Sequence, residues 1–397
     1  MRTPTGGQNL RCSHAQNQDR SLIPLRLPPG MKRAPAMTEE RCAKGRESTE
    51  PPARANQTVP VHRAGRQDLR TRMVRRGVRA VCGPSTAIPT SAAANIPLFS
   101  ASLRFAWLKV LSVAGIRNFV TTSGLGFDFV CHVGDLSEHP FYHRRAYENE
   151  LALCAAWLHD ENEPVVFDIG ANVGFVSTQL AQMLAARSPT IYAFEPVPTT
   201  FAKLVQSVHR LGLNDRVHPI AAAVLDDPRQ VCLSYSLRNS LYAQITPHGL
   251  NPRVGDHLAY APGVTLDGFC SLEDVRPALL KIDVEGSEVA VLRGAPRLLS
   301  QRDRPAILLE YNPVTLSECG ANGRSLSELL SGYALHYVDD LEGQIMSFGS
   351  PVSRIDEITW ICNLFAVPLA EDSSARWASA LEQAEHRLKG YNGSKHL

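Results

Sequence analysis

From Val165 onward the chain repeats one pattern: a short apolar run, a stretch with apolar residues at helical spacing, then another apolar run. "PVVFDIG", "PTIYAFEP" and "RVHPIAAAVL" read as strands, with "FVSTQLAQMLAAR" and "TTFAKLVQSVHRLGL" between them as helices. The rhythm resumes with "PALLKIDV" as strand, "SEVAVLRGAPRLLS" as one helix, "PAILLEYN" as strand and "SLSELLSGY" as helix. Apolar strands that alternate with helices belong to a parallel sheet covered on both faces. The expected fold is therefore α/β: a Rossmann-like, doubly wound, mostly parallel sheet of seven strands. "ALHYVDD" and "WICNLFAVPL" follow each other with no helix between them, so the last strand is expected to run antiparallel. The interruption at 228–275 contains "QVCLSYSL" and "RNSLYAQ" and reads as an inserted hairpin and loop over one sheet edge.

The remainder divides by composition. Residues 1–95 contain no Phe, Trp or Tyr, are rich in Pro, Arg, Ser, Gln and Thr, and show no strand or helix period, which predicts a disordered basic segment. The first hundred residues hold 17 Lys and Arg against 6 Asp and Glu, a net +11, whereas the rest of the chain carries −9. A basic arm is one way to reach nucleic acid or an anionic surface, but no nucleic-acid partner is expected from this stretch. Residues 96–160 are expected to be a lead-in helical region, 161–369 the main domain, and 370–397 a C-terminal amphipathic helix and tail with Trp377, Leu381, Ala384 and Leu388 on one stripe. Nine cysteines without a CxxC pair read as reduced thiols, and no signal-like or membrane-spanning run appears, so the expected location is cytoplasmic. Cys131, His139 and His143 lack a fourth ligand at zinc spacing, and no metal site is assigned to them.

In an open parallel sheet the ligand lies beyond the carboxyl ends of the strands. The first such end is "VVFDIGANVGFV". Gly170 and Gly174 allow a sharp turn and close approach, and Asn172 is the side-chain type that best tolerates positive φ. The dinucleotide pattern GxGxxG and the GK[ST] of a triphosphate loop are both missing here. Asp168 at the mouth of the turn is expected to repel a diphosphate and attract a cation. Glu195, ending the second strand, is placed to accept hydrogen bonds from a ribose diol. A sulfonium, an ammonium and a ribose without phosphate describe S-adenosylmethionine, the expected cofactor.

"LLKIDVEGSE" sets Lys281, Asp283 and Glu285 on one face of the fourth main strand, by the period of two. These are the candidate catalytic residues: methyl transfer needs an aligned nucleophile and a group that takes its proton. Glu310, ending "AILLE" on the neighbouring strand, is placed where it could pair with Lys281 across the sheet, the structural alternative to a catalytic role. Asp283 and Glu285 are chemically able to hold a divalent metal, although no metal is predicted.

"DIGANVG", "AFEPVPTTFAKL", "LLKIDVEGSEVAVLRGA", "LLEYNP" and "NLFAVP" together resemble, in order and spacing, the FkbM-type methyltransferases over about Gly124 to Leu369. The resemblance implies a class I methyltransferase fold with S-adenosylmethionine as donor and a hydroxyl of a sugar or natural product as acceptor. It places the cofactor on Asp168, Gly170, Asn172, Gly174, Glu195 and Asp226, with Asp227 as an alternative for Asp226 at the adenine amino group. It places Lys281, Asp283, Glu285 and Gly286 at the acceptor side, Asn239 and Ser240 in a loop over the acceptor pocket, and Tyr147 and Glu148 in the lead-in helix. The function so implied is O-methylation of a small-molecule or glycan acceptor. A nicotinamide-dependent sugar oxidoreductase and a non-catalytic binding module of the same fold are the alternatives, and the oligomeric state stays open.

Overall fold

The computed structural model describes residues 108–135, 148–237, 239–240, 243–245, 257–338, 350–352 and 354–393. The basic segment 1–95, Tyr147, His139, His143 and residues 96–107 and 136–147 of the expected lead-in region lie outside the described residues.

The described chain opens with helix at 108–113, within the expected lead-in region, and continues into an antiparallel hairpin that the helical reading did not contain, β1 (Asn118–Thr122) and β2 (Asp128–His132). Burial alternates along β1, with Phe119 and Thr121 inward, while Phe129 to His132 of β2 are all buried. Helix α1 (Glu148–Trp157) follows. Then come β3 (Val165–Ile169), α2 (Phe175–Met183), β4 (Thr190–Phe194), α3 (Pro198–Arg210) and β5 (Val217–Ile220). Four strands form a separate small sheet: β6 (Ala223–Val224), β7 (Gln230–Tyr235), β8 (Ala243–Ile245) and β9 (His257–Val264). After α4 (Leu266–Glu273) the main sheet resumes with β10 (Leu279–Ile282), α5 (Glu288–Arg293), α6 (Pro296–Ser300), β11 (Ala306–Tyr311), α7 (Pro313–Glu318) and α8 (Gly323–Leu329). It ends with β12 (Tyr333–Val338), β13 (Ser350–Pro351), β14 (Cys362–Pro368) and the long helix α9 (Ser373–Gly393).

The main sheet has the order β13-β12-β14-β11-β10-β3-β4-β5. The strands β5, β4, β3, β10 and β11 are mutually parallel, and β14 runs antiparallel to both of its long neighbours, β11 and β12. The seven expected strands are all there, and the two-residue β13 adds an edge. The order reverses between β3 and β10, which opens a crevice at their carboxyl ends.

Strand periodicity sorts the core into two layers. Val166, Leu279, Leu308 and Phe365 face α1, α2 and α9, while Phe167, Ile169, Leu280, Ile282 and Leu309 face α4, α5 and α8. Each fully buried Phe, Leu or Ile on these faces contributes about 1.5–3 kcal/mol of transfer free energy. On α9 the buried stripe is Trp377, Ala380, Ala384 and Leu388, with Leu381 partly buried, and the Trp377 ring stacks on Phe365 at 5.2 Å between centroids.

Two single elements read from sequence are each broken in two. "RVHPIAAAVL" leaves the main sheet after Ile220, and its Ala223 and Val224 pair instead with Gly263 and Val264 of β9. "SEVAVLRGAPRLLS" stops at Gly294, whose missing side chain lets it approach Leu225: a Cβ there would lie 2.0 Å from that carbonyl oxygen. Pro296 then starts α6 at a position where its absent N–H costs nothing. No described helix is long and apolar enough to cross a membrane, and no described cysteine forms a disulfide.

Candidate functional site

A cavity lies at the carboxyl ends of β3, β4 and β10, walled by the turn after β3, by the start of the turn after β10, and by β7 and β8 of the small sheet. The turn after β3 owes its shape to three positive φ values: Gly170 at 81°, Asn172 at 50° and Gly174 at 86°. A Cβ on Gly170 would lie 1.8 Å from the Asp283 carbonyl oxygen, so only glycine lets the two strand ends come this close. The amides of Gly170 and Ala171 both donate to Phe194 O, at 3.0 and 2.9 Å, which ties the turn to the end of β4.

Glu195 completes that tie. Its Oε2 accepts from the Asn172 amide at 3.0 Å and its Oε1 from the Val197 amide at 2.8 Å. The carboxylate thus holds two turns together while lining the cavity. Burial pushes its pKa up to about 8, against the downward pull of the two backbone donors. Beside it, the buried Oδ1 of Asn172 has no hydrogen-bond partner among the described residues.

Asp168 sits elsewhere than expected. It is fully buried beneath the turn and lines no part of the cavity. Its Oδ2 accepts from Ser177 Oγ at 2.5 Å and its Oδ1 stands 3.6 Å from Lys281 Nζ. The register explains this: Asp168 is directly opposite Lys281 in the parallel β3–β10 pair, on the face covered by α1 and α2. The charge that was to greet a ligand is spent on a lysine.

Lys281 is the only cation lining the cavity among the described residues. Its Nζ donates to Asp283 Oδ2 at 3.1 Å and to Gly170 O at 3.3 Å. Burial alone lowers the pKa of such an amine, but Asp283 and Asp168 outweigh it and keep Lys281 charged. The alternative pairing of Lys281 with Glu310 is not the one formed: Lys281 makes its ion pairs with Asp168 and Asp283.

Asp283 and Glu285 both line the cavity. Glu285 has a φ of 52°, a left-handed conformation that costs a non-glycine residue on the order of 1–3 kcal/mol. Burial, then the charge of Asp283, raises the Glu285 pKa to about 7. Glu310 and Glu288 are raised by burial to about 8 and about 7. One ligating oxygen each from Asp283, Glu285 and Glu310 lies within 4.8 Å of the others, so these three residues are the described set that could hold a metal ion.

The remaining predicted residues scatter. Asp226 and Asp227 are exposed and both pair with Arg229, Asp226 at 2.7 Å, while the cavity wall at that strand end is Ala222, Ala223 and Val224. Ser240 lines the cavity and Asn239 does not. Glu148 begins α1, and the nearby Glu150 is buried and bonded by Asn363 Nδ2. Sequence reading missed Ser177, which holds Asp168, and Asp135, which accepts from the Ser240 amide. The polar Ser177 on the buried face of α2 was the available signal for the first; nothing local marks the second.

Residues 168–336 match the family model described as the methyltransferase FkbM domain, a span that runs from Asp168 to the middle of β12. No curated protein matches the chain. Among solved structures, the methyltransferase FkbM of Methylobacillus flagellatus KT aligns at 16% identity over 52% of this chain and 43% of its own, with a TM-score of 0.33. The chain therefore spans less than half of that protein's length. A SAM-dependent O-methyltransferase of Thermotoga maritima aligns at 12% identity over 64% of this chain and 78% of its own, with a TM-score of 0.32. TrmK of M. capricolum, solved with S-adenosylhomocysteine, aligns at 10% identity over 56% and 67%, with a TM-score of 0.29. These likenesses assign no residue and no substrate to this chain.

Proposed function

We propose, from the premise that residues 168–336 form an FkbM methyltransferase domain and the chain is a methyltransferase, that it moves a methyl group from S-adenosylmethionine to a hydroxyl oxygen of a sugar or natural product. The observation that carries this reading is Glu195. Each of its oxygens accepts one backbone N–H, and the residue lines the cavity, where its remaining acceptor capacity would serve a ribose hydroxyl. The orphaned Asn172 Oδ1 beside it offers one more acceptor to a donor on the same ligand. A diphosphate would meet the Asp283 carboxylate, with Lys281 already committed to Asp168 and Asp283. That balance supports a phosphate-free, cationic nucleoside over a nicotinamide cofactor.

Gly170, Asn172, Gly174 and Glu195 hold the donor in this reading, and Ala222 to Val224 provide the apolar wall in place of Asp226. Bound S-adenosylmethionine supplies a methyl carbon already activated by sulfonium. The chain's own residues align the acceptor and manage one proton. Asp283, fixed by Lys281, orients the acceptor hydroxyl. Glu285, with a pKa brought to about 7, takes the proton as the oxygen gains the methyl group. The balance closes with a methyl ether, S-adenosylhomocysteine and a protonated Glu285.

The test is transfer of isotopically labelled methyl from S-adenosylmethionine into glycosides and hydroxylated natural products, followed by alkaline treatment. Label retained in an alkali-stable ether supports the reading. Label found only on nitrogen, sulfur or an alkali-labile ester contradicts it.

A further inference from the structure

We infer that Asp135 is a positioning residue of the cavity, a latch that holds its Ser240 wall in place from outside the matched domain. The inference rests on the cofactor reading above for its ligand, and on geometry alone for the latch itself.

Asp135 follows the β1–β2 hairpin, and its side chain is 1% exposed. Its two oxygens serve two distant elements. Oδ2 pairs with Lys203 on α3, and Oδ1 accepts from the Ser240 backbone N–H at 3.1 Å, a contact between residues 105 positions apart. An ion pair repays the burial of a carboxylate only when hydrogen bonds satisfy its remaining lone pairs; here the second oxygen meets that need on a main-chain amide in the wall of the cavity.

The latch is anchored. The hairpin is bolted to α2 by Ser123 Oγ to Gln179 Oε1 at 2.7 Å, Gln179 Nε2 to Asp128 O at 2.8 Å and Gln182 Nε2 to Asp128 O at 2.7 Å. Its other edge meets α3 through Asn118 to Gln206 at 2.7 Å and His132 to Ser207 at 3.0 Å. Asp135 therefore projects from a rigid base. Ser240, by contrast, lies between β7 and β8, where β8 is a three-residue strand that, among the described residues, pairs with β7 alone. Such a strand is a weak support, so the carboxylate supplies what the sheet does not. Ser240, Ala243 and Ile245 then close the cavity over Asn172 and Glu195.

Two measurements decide it on full-length protein. Hydrogen exchange over 236–245, without any ligand, reads the latch itself: Asp135→Ala is expected to speed exchange of the Ser240 amide by about tenfold or more. Asp135→Asn keeps an oxygen for that amide and should stay within about threefold of wild type. Gln206→Ala loosens the same hairpin away from Asp135 and should leave the Ser240 amide at its wild-type rate. Calorimetry with S-adenosylhomocysteine should show the same ranking, with about tenfold weaker binding for Asp135→Ala only. An unchanged Ser240 amide in Asp135→Ala overturns the latch, as does equal loss of affinity in Gln206→Ala. Wild-type protein that takes no S-adenosylhomocysteine would sink the cofactor reading instead, and the exchange result would still judge the latch.

Discussion

Gly170→Ala is the substitution whose cost can be worked out most directly. The new Cβ would be placed 1.8 Å from the Asp283 carbonyl oxygen and 2.8 Å from its carbon, both backbone atoms that cannot swing aside. Reaching an allowed separation of 3.0 Å needs about 1.2 Å of movement between the ends of β3 and β10. That movement falls on the Asp283 N–H to Ile169 O bond, now 3.0 Å, which closes the parallel ladder beside the cavity. Overpacking costs about 1–3 kcal/mol, a lost hydrogen bond about 0.5–1.5 kcal/mol, and a left-handed alanine about 1–2 kcal/mol. Together these make about 3–6 kcal/mol, a large share of the 5–15 kcal/mol typical of a folded domain. The control is Gly212→Ala: its φ of 67° imposes the same conformational cost, but nothing lies within 4 Å of the new Cβ. Thermal unfolding should therefore place Gly170→Ala ~10 °C below wild type and Gly212→Ala only a few degrees below. Methyl transfer by whatever Gly170→Ala remains folded should fall ~100-fold, since a shift near 1 Å misplaces the bound donor. If the two variants melt together and turn over alike, the close approach of the two strand ends is not what shapes this site.

Three further expectations follow from the same geometry. Glu195→Gln leaves one oxygen and two backbone donors facing it, so S-adenosylhomocysteine should bind ~10–100-fold more weakly by calorimetry. Glu285→Gln should leave that affinity within about threefold, lower kcat ~100-fold or more, and erase a rising limb of kcat near pH 7 that wild type shows. Glu310 has a folded pKa of about 8 against an ordinary 4.5, so the folded state holds its proton more tightly than the unfolded one, and its contribution to stability is lost as pH rises through that window. Glu310→Gln should melt higher than wild type at pH 8 and close to it at pH 5; an equal difference at both pH values would show that the charge is not the cause.

The main sheet was legible because its strands are short, mostly apolar runs, as in "VVFDI" and "AILLEY", and because glycine and proline mark the turns. Periodicity could not reveal that β6 deserts the main sheet, since Ala223 and Val224 suit either sheet equally well. Gly294 is one residue inside an otherwise regular helical pattern, and only the tertiary approach of Leu225 explains the break. The site divides in the same way. Gly170, Asn172, Gly174 and Glu195 declare themselves through φ requirements and position at strand ends. Asp168 looked like a ligand-facing acid because sequence shows its strand position but not its register, and register sets it against Lys281. Asp226 followed a resemblance, and the structure shows it paired with Arg229 at the surface. Asp135 acts across 105 residues through one backbone amide, a relationship with no local trace.

The central claim is that the cavity beyond β3, β4 and β10 takes a phosphate-free adenosine compound with its ribose on Glu195. A crystal structure of the protein grown with S-adenosylhomocysteine, with NAD offered in a parallel soak, tests this most directly. The account predicts S-adenosylhomocysteine density with both ribose hydroxyls within hydrogen-bond reach of the Glu195 carboxylate, and no ordered NAD. An NAD diphosphate seated against the 170–174 turn, with that cavity refusing S-adenosylhomocysteine, would contradict it.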